Sequence, residues 1–202
     1  MLTDAKHSKG QMYELYKPHD GKPFLSPIYS KKYKKTIKAE YQQIRNTLKI
    51  HPKFVKMAEK TFQNVAKEMN QPRNNITFIG IHHRQSDMDA FMKKYNGKIL
   101  KKDFFYDMMK KSRQLYNPPI AFLYVSDDMI RGKELFRLEM NELDDLFFVG
   151  RGNSKNIDDI GHDFALVVHS NHTINTWGTF SHWLAVLNTG EKYGISALHG
   201  YF

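Results

Sequence analysis

The sequence predicts an α/β fold built on a doubly wound parallel sheet, and three observations carry that expectation. Short apolar runs, among them Ile76–Ile81, Ile120–Val125 and Leu146–Val149, alternate with amphipathic segments of roughly 10 to 15 residues, the pattern of repeated βαβ units. The polar clusters His82–Asp87 and Ser126–Asp128, and Asp163 with His172–Ser181, lie at strand ends or helix starts. In a parallel sheet those positions converge on the edge that takes ligands. No internal repeat or low-complexity tract competes with this pattern.

Residues 1–29 mix His, Lys, Pro and Gly without periodicity and read as irregular, and residues 30–49 read as a basic helix. Residues 1–50 are therefore expected to be an appendage and residues 51–202 one α/β domain. From Pro52, a residue suited to the first helical position, Phe54, Ala58, Phe62, Val65 and Met69 fall on one face. Strand Ile76–His83 follows. A helix over 102–116 runs through Phe105, Met108, Met109, Ser112 and Leu115, and Pro118-Pro119 ends it. After strand Ile120–Val125, Ser126-Asp127-Asp128 can cap a helix over 129–140. A strand at 146–149, a helix from Asn156 or Asp158 to Val168, a strand at 172–175, a helix through Phe180–Leu187 and a strand at 193–196 complete the chain.

The formal charge of +10, from 31 Lys and Arg against 21 Asp and Glu, suits an anionic partner: nucleotide phosphate, nucleic acid or an acidic surface. The lysine clusters at Lys31–Lys38 and Lys93–Lys102 are most simply solvated helix faces. Nucleic-acid binding rests on charge alone, without a basic-aromatic platform, and is set aside. With 41% hydrophobic residues the chain is globular. Its mean hydropathy of −0.61 is that of a soluble protein. Cysteine is absent, which removes disulfides, thiolate catalysis and Cys-type zinc sites. Neither a membrane span nor a signal-peptide apolar region is expected, so the chain carries no address of its own.

Arg84 suits a bidentate contact to phosphate, with Asp87 orienting it or taking a ribose hydroxyl; a simple Arg–Asp loop salt bridge is the alternative. His82 and His83 are adjacent on a strand and point to opposite faces, so they do not share a metal ion. Asp127 and Asp128 stand where a Mg²⁺-binding pair works elsewhere, but capping is the preferred account. Asp163 is either a helix-surface acid or a group turned to the ligand edge. His162, His169 and His172 lack metal-site spacing, and no metal is assigned. Trp183 is most simply core, and Trp177 is expected to pack. Of two N-x-Ser/Thr sequons, Asn75 is open to glycosylation in a secretory chain, whereas Asn171 lies inside the presumed ligand stretch.

Ile79–Asp87 resembles the HxRRxD signature of inverting fucosyltransferases. Asp163-Phe164-Ala165-Leu166, with Asn171–Ile174 and Gly178–Trp183, resembles the D-F-x-L … H-T-I-x-x-x-G-T-F-x-x-W block of the galactoside alpha-1,2-fucosyltransferases, and Val125–Asp128 fits the step between them. The resemblance runs from about Phe54 to Ile195. It implies a GDP-fucose-binding Rossmann-like lobe of a GT-B-type enzyme. Such an enzyme transfers fucose to the 2-hydroxyl of a terminal galactoside with inversion and no required metal or cofactor. It implies catalytic roles for Arg84, Asp87 and His82, and donor contacts from Arg84, Ser126, Asp127, Asp163, His172, Thr179 and Phe180. It also implies a lumenal Golgi location through an anchor that this chain lacks.

Three departures stand against the pattern. Gln85 replaces the family's second arginine, His83 replaces an apolar strand residue, and Leu198–Phe202 fits the family's end poorly. The anchor, stem and most of the N-terminal acceptor lobe are expected to be missing. A catalytically silent nucleotide- or glycan-binding relative is the alternative expectation.

Overall fold

The structure is a computed structural model. It describes residues 42–194 apart from 89, 91–92, 94–99, 139–141, 153–154, 177 and 191. Residues 42–47 are helical, and Arg45 Nε donates to the carbonyl of Val186. The irregular stretch 1–29 and the cluster Lys31–Lys38 lie outside the described residues, as do Trp177 and the closing residues 195–202.

Helix α1, Pro52–Glu68, buries Ala58, Phe62, Val65 and Ala66, and the His51 side chain caps it by accepting from Lys53 N at 3.2 Å. A 3₁₀ turn at Arg73–Asn75 leads into strand β1, Thr77–His83. Then follow α2 (Lys102–Leu115), β2 (Ile120–Ser126), α3 (Met129–Leu135) and β3 (Leu146–Phe148). The chain continues through α4 (Ile157–Val168), β4 (His172–Asn175), α5 (Thr179–Leu187) and β5 (Lys192–Gly194). Two helix starts follow the expected chemistry. Asp128 accepts from Arg131 N to cap α3, and Asn156 accepts from Asp158 N to cap α4. Helix α3 is shorter than the expected 129–140, stopping at a buried Phe136.

All five strands are parallel, in the order β3-β2-β1-β4-β5. The chain winds outward from β1 to β3, then returns through α4 to the other side of β1, so the order reverses between β1 and β4. This is the Rossmann-like arrangement, and the crevice above β1 and β4 is its ligand edge.

Alternation along β1 and β2 supplies two cores. On one face Ile79, Ile81, Phe122 and Tyr124 pack with Phe105, Met109 and Phe136 beneath α2 and α3. On the other, Phe78, Leu123 and Val125 pack with Phe62, Leu166 and Leu184 beneath α1, α4 and α5. Helices α1 and α4 pack closely because Gly161 lies against the Phe54 ring, where an added Cβ would stand 2.5 Å from ring carbons. Burying each such Phe or Leu contributes roughly 1.5–3 kcal/mol. Trp183 departs from expectation: it is 40% exposed on α5, because Leu184 and Ala185 take the inward face.

Candidate active site

The ligand edge begins where β1 runs out of pairing. Arg84 N donates to Thr176 Oγ1 at 3.1 Å, and Thr176 N donates to the carbonyl of His82 at 3.2 Å, so the loops after β1 and β4 are bound to each other. Asp127 then secures the β1 loop. Its carboxylate accepts from Gln85 N at 2.7 Å, from Ser86 N, and from Ser86 Oγ at 2.5 Å. These are charge-assisted bonds to a turn, and they make Asp127 an anchor of the Arg84 loop. The cap of α3 is Asp128 alone.

Asp87 holds Arg84 from one side. Arg84 Nε donates to Asp87 Oδ1 at 2.7 Å and Nη2 donates to Oδ2. The contact keeps the Asp87 carboxyl below its usual range, chiefly through that hydrogen bond. The loop salt bridge therefore exists, and it orients the guanidinium. Arg84 Nη1 faces Gly178, so closely that a Cβ there would stand 2.8 Å from it. Gly178 has φ +112°, a conformation few side chains accept, and is the N-cap of α5 without a side chain to cap it. The first turn, Thr179 to Ser181, thus starts beside the guanidinium, and first-turn N–H groups favour an anion.

His82 lies beneath that turn. Its Nδ1 shares a 2.5 Å hydrogen bond with Ser181 Oγ, and its ring lies 5.0 Å from that of Phe180. Burial pushes the imidazole down to about 4; Asp127 opposes the shift and Arg84 adds to it. Asn175 is its partner in the strand register, and Asn175 Oδ1 is buried without a hydrogen bond. His83 faces the other core, with Nδ1 2.6 Å from the Tyr124 hydroxyl, and burial pushes it down to about 3. Both imidazoles are neutral at neutral pH, and they face opposite sides of the sheet as the alternation requires.

A cavity of about 440 Å³ opens beside Arg84. Arg84, Lys101, Lys102, Arg131, Glu134 and Thr176 supply its polar lining, with His83 and Gln85 at its base. The Gln85 side chain is buried, and its Oε1 accepts from Ser126 Oγ at 3.1 Å. Ser126 is accordingly a support beneath the loop.

The remaining expected residues separate. Asp163 is buried on α4 and accepts from Arg151 N at 3.0 Å and from Gly152 N, with His162 Nδ1 2.7 Å away. It secures the β3–α4 loop. His162 is in turn 2.8 Å from Thr61 Oγ1 on α1. His172 is not brought to the ligand edge. It begins β4 opposite Ile79, and its ring stacks on Tyr116 at 3.9 Å where α2 descends to the start of β2. A strand of four residues has two ends, and His172 lies at the wrong one. Among the described residues no group of three His, Asp or Glu side chains is placed to hold a metal ion. None of their helices is long and apolar enough to cross a membrane.

In the sequence Arg131 does not stand out, Lys101 and Lys102 read as part of a solvated face, and Thr176 and Ser181 enter only as members of the His172–Ser181 cluster. Thr176 and Ser181 carried a signal as hydroxyls flanking a helix start. Arg131 carried none beyond its place three residues after a cap.

The family described as Glycosyl transferase family 11 matches residues 11–198. Galactoside alpha-(1,2)-fucosyltransferase 1 of Sus scrofa is 31% identical over 155 residues, which cover 74% of this chain and 39% of that protein. Galactoside alpha-(1,2)-fucosyltransferase 2 of Mus musculus is 32% identical over 116 residues, covering 57% and 31% respectively. The corresponding protein of Gorilla gorilla gorilla is 29% identical over 151 residues, covering 74% and 41%. The match thus spans at most about two fifths of these relatives' length. No solved structure matches the chain. With a parallel sheet that reverses beside Arg84 and a family match over nearly its whole length, the chain belongs to glycosyl transferase family 11.

Proposed function

We propose that this chain is the donor-binding part of a galactoside 2-alpha-L-fucosyltransferase. It takes GDP-fucose and serves transfer of fucose to the 2-hydroxyl of a terminal galactose with inversion. The observation that carries the reading is the facing of Arg84 Nη1 and Gly178 at the start of α5. In the reaction the bond from fucose C1 to the phosphate oxygen breaks as the acceptor oxygen bonds to C1 from the opposite face. The acceptor hydroxyl loses its proton, and GDP departs with the electron pair. Negative charge therefore grows on the diphosphate while the sugar becomes oxocarbenium-like. A guanidinium and a helix start, fixed beforehand by Asp87, Thr176 and His82, suit that charge without rearrangement.

In this reading Arg84 binds the diphosphate, Asp87 orients it, and His82 acts through Ser181 on the helix start. Thr179 and Phe180 offer backbone N–H groups. Residues 51–202 form the donor domain, and residues 1–50 belong to the acceptor lobe. In this reading the protein works on the lumenal side of the Golgi.

A second reading, a silent nucleotide- or glycan-binding relative, is favoured by the burial of Gln85 against Ser126. Transfer of radiolabelled fucose from GDP-fucose to lactose separates the two, and turnover ends the silent reading. GDP should raise the thermal unfolding midpoint with or without chelator. Absence of any GDP effect at millimolar nucleotide would remove the donor reading and the nucleotide-binding form of the second.

A further inference from the structure

We infer that Arg131 is a second diphosphate-binding guanidinium, one that makes the site select a nucleoside diphosphate over a monophosphate. The inference rests on the donor reading above and extends it to a residue outside the stretches that carry the family resemblance.

The argument is geometric. Arg131 stands in the first turn of α3, whose start is fixed by Asp128 accepting from Arg131 N at 3.0 Å. Its side chain crosses to the β1 loop, where Nη1 is 3.5 Å from the carbonyl oxygen of Gln85, the residue next to Arg84. Two guanidiniums, one from the loop after β1 and one from α3, thus line a single cavity of about 440 Å³. That cavity continues toward Lys101 and Lys102 at the start of α2, and Glu134 is the acid in its lining.

Arg84 is committed to the side of the cavity nearer α5, since Asp87 takes Nε and Nη2 and Gly178 lies against Nη1. A single phosphate at Arg84 and the start of α5 is therefore served without Arg131. A second phosphate, displaced by one P–O–P link toward α3, has Arg131 as its cation. Guanidiniums suit this role because their donors match phosphate oxygens in fixed pairs. The Gln85 side chain does not compete for the position, being turned down to Ser126.

The test is calorimetric titration of the full chain with GDP, GMP and guanosine, for wild type, Arg131→Gln and Lys133→Gln. Lys133 is exposed on the same helix and does not line the cavity, so its replacement reproduces the change in net charge. Arg131→Gln should weaken GDP about tenfold, while GMP and guanosine change by less than about twofold. Lys133→Gln should leave the ratio of GDP to GMP affinity as in wild type. Unliganded unfolding midpoints should coincide, since Arg131 is exposed. Equal weakening of GDP and GMP, or none of either, overturns the role of Arg131 while leaving the donor reading intact. Failure of wild type to bind GDP at all overturns the donor reading and this inference together.

Discussion

The two edges of the sheet are both polar, yet they do different work. At the starts of the strands, polar side chains close the chain on itself. Asn171 Oδ1 accepts from Phe78 N at 2.8 Å, and Asn188 Nδ2 lies within hydrogen-bonding distance of the carbonyls of Val167, Val168 and Ser170. His172 stacks on Tyr116. At the ends of the strands the same kinds of contact hold loops so that a guanidinium, a glycine and a helix start share one space. Asp127, Thr176 and Asp87 restrain Arg84 from three sides and leave Nη1 directed at Gly178. The difference teaches that a run of polar residues marks a site only where its hydrogen bonds orient a group toward space. A run whose bonds all return to the backbone marks a structural seam.

Acidification should expose the contrast most strongly, because both β1 imidazoles lie at the ligand edge and fold in the neutral form. Their pKa values fall from 6.5 to about 4 for His82 and about 3 for His83. The unfolded chain therefore binds more protons below the ordinary value. This contribution is complete above pH 6.5 and is lost progressively as pH falls toward the folded values. Each imidazole removes up to about 1.4 kcal/mol per pH unit in that window, so a fall from about pH 7.5 to about pH 5 should cost on the order of 3 kcal/mol. Urea unfolding at the two pH values measures it, and a flat profile would place both imidazoles in contact with water.

Replacing Arg84 by Ala should weaken GDP about a hundredfold with little change in unfolding midpoint, read by titration. The mirror-image substitution at the other edge is Asn188→Ala. It leaves buried carbonyls without their donor and should lower stability by about 2 kcal/mol with GDP affinity retained. Loss of GDP affinity in Asn188→Ala would mean the edges are not separable.

Gly178→Ala brings a Cβ against Arg84 Nη1 at φ +112° and should weaken GDP about tenfold. A variant that binds normally would show that the α5 turn moves aside. The smallest effect is expected for His172→Ala, less than about twofold on GDP and about 1 kcal/mol of stability from the lost stacking. A large loss of GDP affinity there would return His172 to the site.

Much of this is legible in the sequence. The sequence starts α4 at Asn156 or Asp158 and ends it near Val168, and bounds β4 by His172 and Asn175, because caps and short apolar alternation are local signals. Opposite facing of His82 and His83 followed from the two-residue period of a strand. Trp183 was misplaced because both faces of α5 carry apolar residues, so periodicity could not choose the inward one. In the sequence Asp163 reads as either a helix-surface acid or a group turned to the ligand edge and Asp127 as part of a cap, with donor contacts from both only as what the resemblance implies. Their partners, Arg151 N and the Gln85–Ser86 turn, lie in loops whose paths no local rule fixes.

By itself the sequence determined the alternation of strands and helices, the parallel sheet, and an arginine loop and a glycine-led helix as separate local features. Each follows from side-chain period, capping and the steric demands of one residue. Only the tertiary structure decided which polar residues share an edge. Strand register sends His172 to the far end of β4, and the path of α3 brings Arg131 over the Gln85 carbonyl. Residues distant along the chain meet only when the whole sheet is wound, so their juxtaposition is a property of topology and not of any local segment.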